Sequence, residues 1–172
     1  SGYYAFRKLF VPDETNEDTL TLMHESEKEE WLKHSEKRDA FIDSYDGLKL
    51  HGVMIANHPE SHEWMIAAAD GGTSWQSLLH LIYEADHRDM NVLAIDERGY
   101  GMSEGRYTTL GWCEHYDLIS WVSYITRMDA SSQIVLYGIG TGGLAVMNAS
   151  GDFMPKNVFC AIEEGGANGV RE

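Results

Sequence analysis

The chain has 172 residues and a formal charge of −15, with 13 Lys and Arg against 28 Asp and Glu. That length suffices for one domain burying about 70% of the surface its unfolded chain exposes. The acidity argues against nucleic acid and anionic membrane surfaces as partners, because both need clustered cations, and no apolar run approaches the roughly 20 residues of a membrane span.

Residues 1–38 read as an acidic leader. Residues 1–40 hold ten acidic side chains, from Asp13 to Asp39, best read as a solvated helix face. Within it, Asp18 to Glu36 sets Leu20, Met23, Trp31 and Leu32 among charges, which predicts a surface helix with a narrow apolar stripe. The start at Ser1-Gly2 instead of Met points to upstream trimming. If an anchor was removed there, an extracellular location follows; otherwise the compartment is open.

From Asp39 to the end the sequence predicts a single core domain, 39–172. Ala40 to Tyr45 and Leu48 to Ala56 form strands joined at Asp46-Gly47, a hairpin signal because both residues tolerate positive φ. The rhythm then changes to continuous apolar runs, as in strands buried on both faces: 64–69, 91–95, 133–137 and 158–162. Between them lie helical stretches at Ser74 to Asp86, Leu110 to Arg127 and Gly143 to Ala149. This alternation predicts an α/β fold, a mostly parallel sheet covered by helices on both faces. The last run, 158–163, ends the fold as an open edge able to recruit a second copy.

Ligands of such sheets sit beyond the carboxyl ends of the strands, so each strand-to-helix loop is a candidate site. The loops are Asp70-Gly71-Gly72-Thr73-Ser74, Asp96 to Gly105, Gly138-Ile139-Gly140-Thr141-Gly142, and Glu163 to Gly166. The third has the glycine framing of a turn that presents a catalytic serine in a strained conformation, Gly-x-Ser-x-Gly. Its centre is Gly140.

Together the hairpin and these loops resemble the α/β-hydrolase superfamily, specifically its bacterial esterase and peptidase-like members. The most specific element is Asp-x-Arg-Gly-x-Gly-x-Ser-x-Gly, matched by Asp96, Arg98, Gly99, Gly101, Ser103 and Gly105. The resemblance implies a structural role for that turn, oxyanion-hole amides at Gly72 and Thr141, elbow glycines at Gly138 and Gly142, and ester or peptide substrates in relatives. It implies no cofactor. The departures are equally specific: Gly140 stands where the nucleophile is expected and Asp70 where relatives carry His. The acid and general-base histidine of relatives follow segments beyond Glu172. The expectation is a scaffold inactive as written.

Substitutes are scarce. The Thr141 side chain is expected to project away from the oxyanion pocket. Cys113, mid-helix, and Cys160, in a strand, read as small core hydrophobes, and neither belongs to a Cys-x-x-Cys pair. His58 and His62 flank a loop, His80 and His115 fall on helices, His24 and His34 on the leader and His51 in the hairpin. None is expected at a strand's carboxyl end, and none has metal-site spacing. Two alternatives stand beside the hydrolase reading. Gly138 to Gly143 also spells Gly-x-Gly-x-x-Gly, with Glu163 or Glu164 some twenty residues on, which fits dinucleotide binding. A non-catalytic interaction module is the other.

Overall fold

The structure, a computed structural model, describes residues 20–152 and 154–165, with side chains from residue 27 onward. Most of the acidic leader, Leu20 and Met23 as stripe residues, His24, and Gly166 of the fourth loop therefore lie outside the described side chains. Helix α1 (Leu20–His34) precedes a hairpin of β1 (Lys37–Asp43) and β2 (Lys49–Ile55). After β3 (Glu63–Ala68) come a 3-10 turn (Trp75–Leu78), α2 (Leu79–Asp86) and β4 (Asn91–Ile95). The chain then forms α3 (Glu114–Met128), β5 (Gln133–Ile139), α4 (Thr141–Gly151) and β6 (Val158–Glu164).

The six strands make one sheet in the order β1-β2-β4-β3-β5-β6. β1 and β2 are antiparallel, β2 joins β4 antiparallel, and the remaining pairings are parallel. The hairpin closes at Gly47, whose φ is +86, while the Ser44 amide donates to the Leu48 carbonyl at 2.8 Å. Asp46-Gly47 supplies that turn as the sequence implies.

The continuous apolar runs face helices on two sides. Leu118, Trp121, Val122 and Ile125 of α3 join Val146 and Ala149 of α4 against Ile66, Leu93 and Leu136. On the other face Leu78, Ile82 and Ala85 cover Met65, Val92 and Val135, and Trp31 and Leu32 of α1 pack at the margin. Burying each large aliphatic side chain stabilises the fold by roughly 1.5–3 kcal/mol. α1 is pinned by the Trp31 indole, which donates to Asp86 at 2.7 Å.

Three helix boundaries differ from the periodicity. The stretch from Ser74 opens as a 3-10 turn before α2 begins, and α4 starts at Thr141, directly on the glycine bend. α3 starts at Glu114 instead of Leu110, because Leu110 and Gly111 take φ of +53 and +87. The Glu114 carboxylate then accepts the amides of Thr109 and Gly111 at 2.7 and 3.0 Å. Cys113 consequently sits before α3, where it accepts the Tyr45 hydroxyl at 3.1 Å, and is not mid-helix. That bond pushes the Tyr45 phenol up to about 12. Cys160 does lie on β6, half-buried against the core, where burial raises its thiol.

Candidate functional site at the glycine bend

β5 ends in a bend that only glycines can build. A Cβ on Gly138 would stand 2.2 Å from the Gly142 carbonyl oxygen, and one on Gly142 would stand 2.5 Å from that of Ala68. Real carbon–oxygen contacts never come so close. Gly140, at the apex, has φ +56 and ψ −116, a sparsely populated conformation of the kind that costs about 1–3 kcal/mol for a side-chain-bearing residue. The bend is fixed to its neighbours: the Gly140 amide donates to the Glu164 carbonyl at 2.9 Å, and its carbonyl accepts the first α4 bond from Leu144 at 3.1 Å.

The space beside the apex is filled by Asp70. A Cβ on Gly140 would meet Asp70 Oδ1 at 2.1 Å. That same oxygen accepts the amides of Thr141 and Gly71, both at 2.9 Å. The amide that converges with Thr141 is thus that of Gly71, one residue before the Gly72 expected from the motif. Gly72, with φ +87, instead turns the loop, whose Thr73 amide and hydroxyl return to the Asp70 carbonyl.

Thr141 departs from expectation too. Its hydroxyl does not project away. It accepts the Gly71 amide at 2.6 Å and donates to Glu97 Oε2 at 3.0 Å, so it bridges two loops. Glu97 is 5% exposed. Burial pushes its carboxyl up to about 8, with the charges of Glu114, Asp70 and Asp117 acting in the same direction and the Thr141 bond opposing. At neutral pH Glu97 is therefore a buried neutral acid. Its other oxygen has no hydrogen-bond partner among the described residues, and the residue lines a cavity of about 10 Å³ together with Glu114 and Asp117.

The Asp96 to Gly105 turn is a closed polar network. Asp96 accepts the Trp75 amide at 2.9 Å, the Met102 amide at 3.0 Å and His51 Nδ1 at 2.7 Å. The Ser103 hydroxyl donates to the Asp96 carbonyl at 2.7 Å and accepts the His51 amide at 2.9 Å. Gly101 and Gly105 are required sterically, since a Cβ on either would lie 2.1 Å from Asp96 Oδ2 or 2.8 Å from the Gly99 nitrogen. Gly99, with φ +82, completes the reversal. Arg98 ties helix to hairpin, gripping Asp117 at 2.7 and 2.8 Å and Asp46 at 2.9 and 3.2 Å. Burial alone would lower its pKa, but these carboxylates raise it, so the guanidinium stays charged.

His51 corrects one expectation. β2 runs antiparallel to β4, and the pairing of Gly52 with Ile95 brings His51 beside Asp96, at the carboxyl end of a parallel strand. Its second nitrogen meets Asp39 at 3.0 Å. The sequence hides this because the two residues lie 45 positions apart. The pair braces the structural turn and leaves no ring nitrogen for the glycine bend. His115 is likewise paired, with Asp152 at 3.0 Å, and His58 and His62 meet Asp86 and Asp129. Among the described side chains no histidine hydrogen-bonds the bend, and no group of three or more His, Cys, Asp and Glu could hold a metal.

No family model matches the sequence. Solved structures do resemble the fold. The esterase Pf2001 of Pyrococcus furiosus superposes with a TM-score of 0.69 at 24% identity over 90% of this chain and 57% of its own. The α/β hydrolase GrgF of Penicillium sp. sh18 gives 0.64 at 21% identity, over 74% of this chain and 45% of its own. An α-β serine hydrolase homologue from Coxiella burnetii gives 0.57 at 19% identity, over 65% and 56%. This chain has an α/β-hydrolase-like fold. It spans little more than half the length of these proteins at most.

Proposed function

We propose that the chain is an esterase-type hydrolase scaffold in which the bend after β5 carries no serine chemistry. The observation that supports this reading is the apex itself: Gly140 keeps the strained geometry of a nucleophile turn but offers no side chain, and the carboxylate of Asp70 takes up the adjoining space. Two amides converge there, as an oxyanion hole requires. They meet a negative charge instead of an acyl oxygen, which opposes the charge that develops in acyl transfer. Loss of a nucleophile alone slows such enzymes about a millionfold, roughly 8 kcal/mol of barrier. Thr141 cannot replace it, because its hydroxyl is already committed to Gly71 and Glu97.

The test is incubation of the purified chain with p-nitrophenyl acetate and butyrate, alongside a fluorophosphonate probe. We expect hydrolysis at the buffer rate and no labelling. Turnover that disappears on fluorophosphonate treatment would overturn the reading. The dinucleotide alternative has less behind it, since the amides a pyrophosphate would use already face Asp70 and Glu164 is engaged by the Tyr137 hydroxyl. A thermal shift with NAD would restore it.

An interaction role has one specific observation in its favour. Among the described residues β6 pairs only with β5, and Ala161 on it is exposed. An unpaired strand edge is a template for another strand. Self-association through 158–163 predicts a concentration-dependent sedimentation coefficient that an Ala161→Lys charge abolishes. Equal sedimentation of both chains at all concentrations would count against it.

A further inference from the structure

We infer that Asp70 is a tethered ligand, an intramolecular carboxylate that keeps the amide pair of Gly71 and Thr141 closed, and that Gly140 is the residue that admits it. The inference deepens the reading of the bend as a silent site by naming what occupies it. Three observations on the structure carry it, and they are independent of one another.

The first is convergence. Asp70 Oδ1 takes both amides at 2.9 Å, one from its own loop and one from the first residue of α4, 71 positions away. A single oxygen bridging two loops is how an acyl oxygen would be held, and charge-assisted bonds of this kind are about twice as strong as neutral ones. The second is steric matching. Any side chain at 140 would begin 2.1 Å from that oxygen and 2.4 Å from its carbon, so a residue larger than glycine and a docked Asp70 exclude each other. Glycine at 140 and a docked carboxylate at the apex therefore go together. The third is exposure. Asp70 lies at the surface, and what a Cβ on Gly140 would meet is the end of the Asp70 side chain, not backbone. The closure is therefore reversible in principle by a competing group or by displacement, whereas the glycine bend beneath it is fixed by backbone contacts.

The consequence is specific. Removing the carboxylate should open the Thr141 amide fully and leave the Gly71 amide shared only with the Thr141 hydroxyl, at 2.6 Å, so that a small planar anion can bridge the two, and pushing the carboxylate aside from position 140 should do the same. The pairing also predicts non-additivity: once one partner has been changed, changing the other opens nothing more.

The experiment uses the full chain, uniformly labelled with nitrogen-15, titrated with sodium formate against sodium chloride at equal ionic strength. In the unmodified chain the Gly71 and Thr141 amide resonances should move no more with formate than with chloride. In Asp70→Ala the two resonances should shift upfield before any addition, as a charged acceptor is lost, and then move saturably with formate. Gly140→Ala should give the same response, and Asp70→Ala/Gly140→Ala should respond no more strongly than either single variant. Asp70→Asn keeps the shape with a neutral acceptor and should show a weaker formate response than Asp70→Ala, which guards against a general loosening of the loop. Equal formate shifts in the unmodified chain, or a folded Asp70→Ala whose two amides neither move upfield nor respond to formate, would overturn the inference. Ester turnover has no bearing on this readout, so an active chain with closed amides and an inactive chain with open ones are separable results.

Discussion

Asp70 and Asp96 perform the same local act and serve different ends. Each follows a parallel strand by one or two residues and each accepts two backbone amides. Asp96 is 2% exposed, backed by His51 and enclosed by a turn whose glycines make room for it, while Asp70 lies at the surface beside an apex glycine. A carboxylate that is buried and fully partnered is part of the fold, because nothing else can satisfy the groups it serves. An exposed one over convergent amides occupies a place that a ligand could take. The difference separates a carboxylate built into the hydrolase-like fold from one placed over two convergent amides at its surface.

The sharpest way to break the comparison is to delete each carboxylate in turn. Asp96→Ala strands the Trp75 and Met102 amides and leaves His51 Nδ1 unpaired in a buried site, a loss of about 3–5 kcal/mol by analogy with breaking buried charge pairs. Asp70→Ala should cost about 1 kcal/mol, because water can replace an exposed acceptor. Urea denaturation of both variants reads the two values. Costs within 1 kcal/mol of each other would erase the distinction.

The bend itself should resist change more than its apex. Gly142→Ala forces a methyl against the carbonyl oxygens of Ala68 and Ala69, at 2.5 and 2.7 Å, and backbone on two sides cannot give. A loss of about 3 kcal/mol is expected, in the range of overpacking in a tight core. Gly47→Ala serves as the control: φ there is positive, unlike at Gly142, but nothing lies within 4 Å, so only the conformational cost of about 1 kcal/mol applies. Similar losses at both positions in thermal melts would mean the bend is looser than its contacts indicate.

Much of this was readable in advance. The strands announce themselves as unbroken apolar runs, and Asp96 to Gly105 carries its motif intact, because a closed network tolerates few substitutes at Gly101 and Gly105. Gly138 and Gly142 were legible for the same steric reason. What sequence could not show arises where distant loops meet. The reach of Asp70 to Thr141, the choice of Gly71 over Gly72 and the pairing of His51 with Asp96 depend on strand register, and Leu110 taking positive φ moved the start of α3. One signal was present: an acid at 70, where the resemblance leads one to expect histidine, and a glycine at the apex of the turn at 140.

Glu97 gives the comparison a pH axis. Its folded pKa, about 8, lies above the 4.5 usual for a glutamate, so between those pH values the folded state holds a proton the unfolded chain has released. Stability must fall as pH rises through that window and level off above it. Glu97→Gln keeps the Thr141 bond and removes the titration. It should stabilise the fold by about 2 kcal/mol at pH 8.5 and leave it unchanged near pH 4.5, the full shift being discounted for relaxation around the buried acid. Parallel stability curves for the two chains from pH 5 to 9 would mean the carboxyl ionises as freely as in water. Glu114, held below the usual carboxylate range by its Thr109 and Thr108 bonds in spite of burial, and the exposed Asp46, held low by Arg98, act in the opposite sense on the acid side, where protonation removes the stability they contribute.

The smallest effect lies in the segment that joins the two regions. Leu110 is 52% exposed yet sits at φ +53, a conformation that costs a branched side chain about 1 kcal/mol. The strain is retained because the next residue must press onto α4: a Cβ on Gly111 would stand 2.8 Å from the Leu144 backbone. The loop therefore turns at Leu110 to deliver Gly111 against the helix that begins at the bend. Asparagine accepts the left-handed region more readily, and the side chain it replaces buries little. Leu110→Asn should raise stability by about 0.5 kcal/mol, a Tm increase of roughly 1–2 °C for a domain of this size. A fall in Tm would show that the exposed leucine contributes packing that outweighs its strained backbone, and would shift the reason for the turn from Gly111 to Leu110 itself.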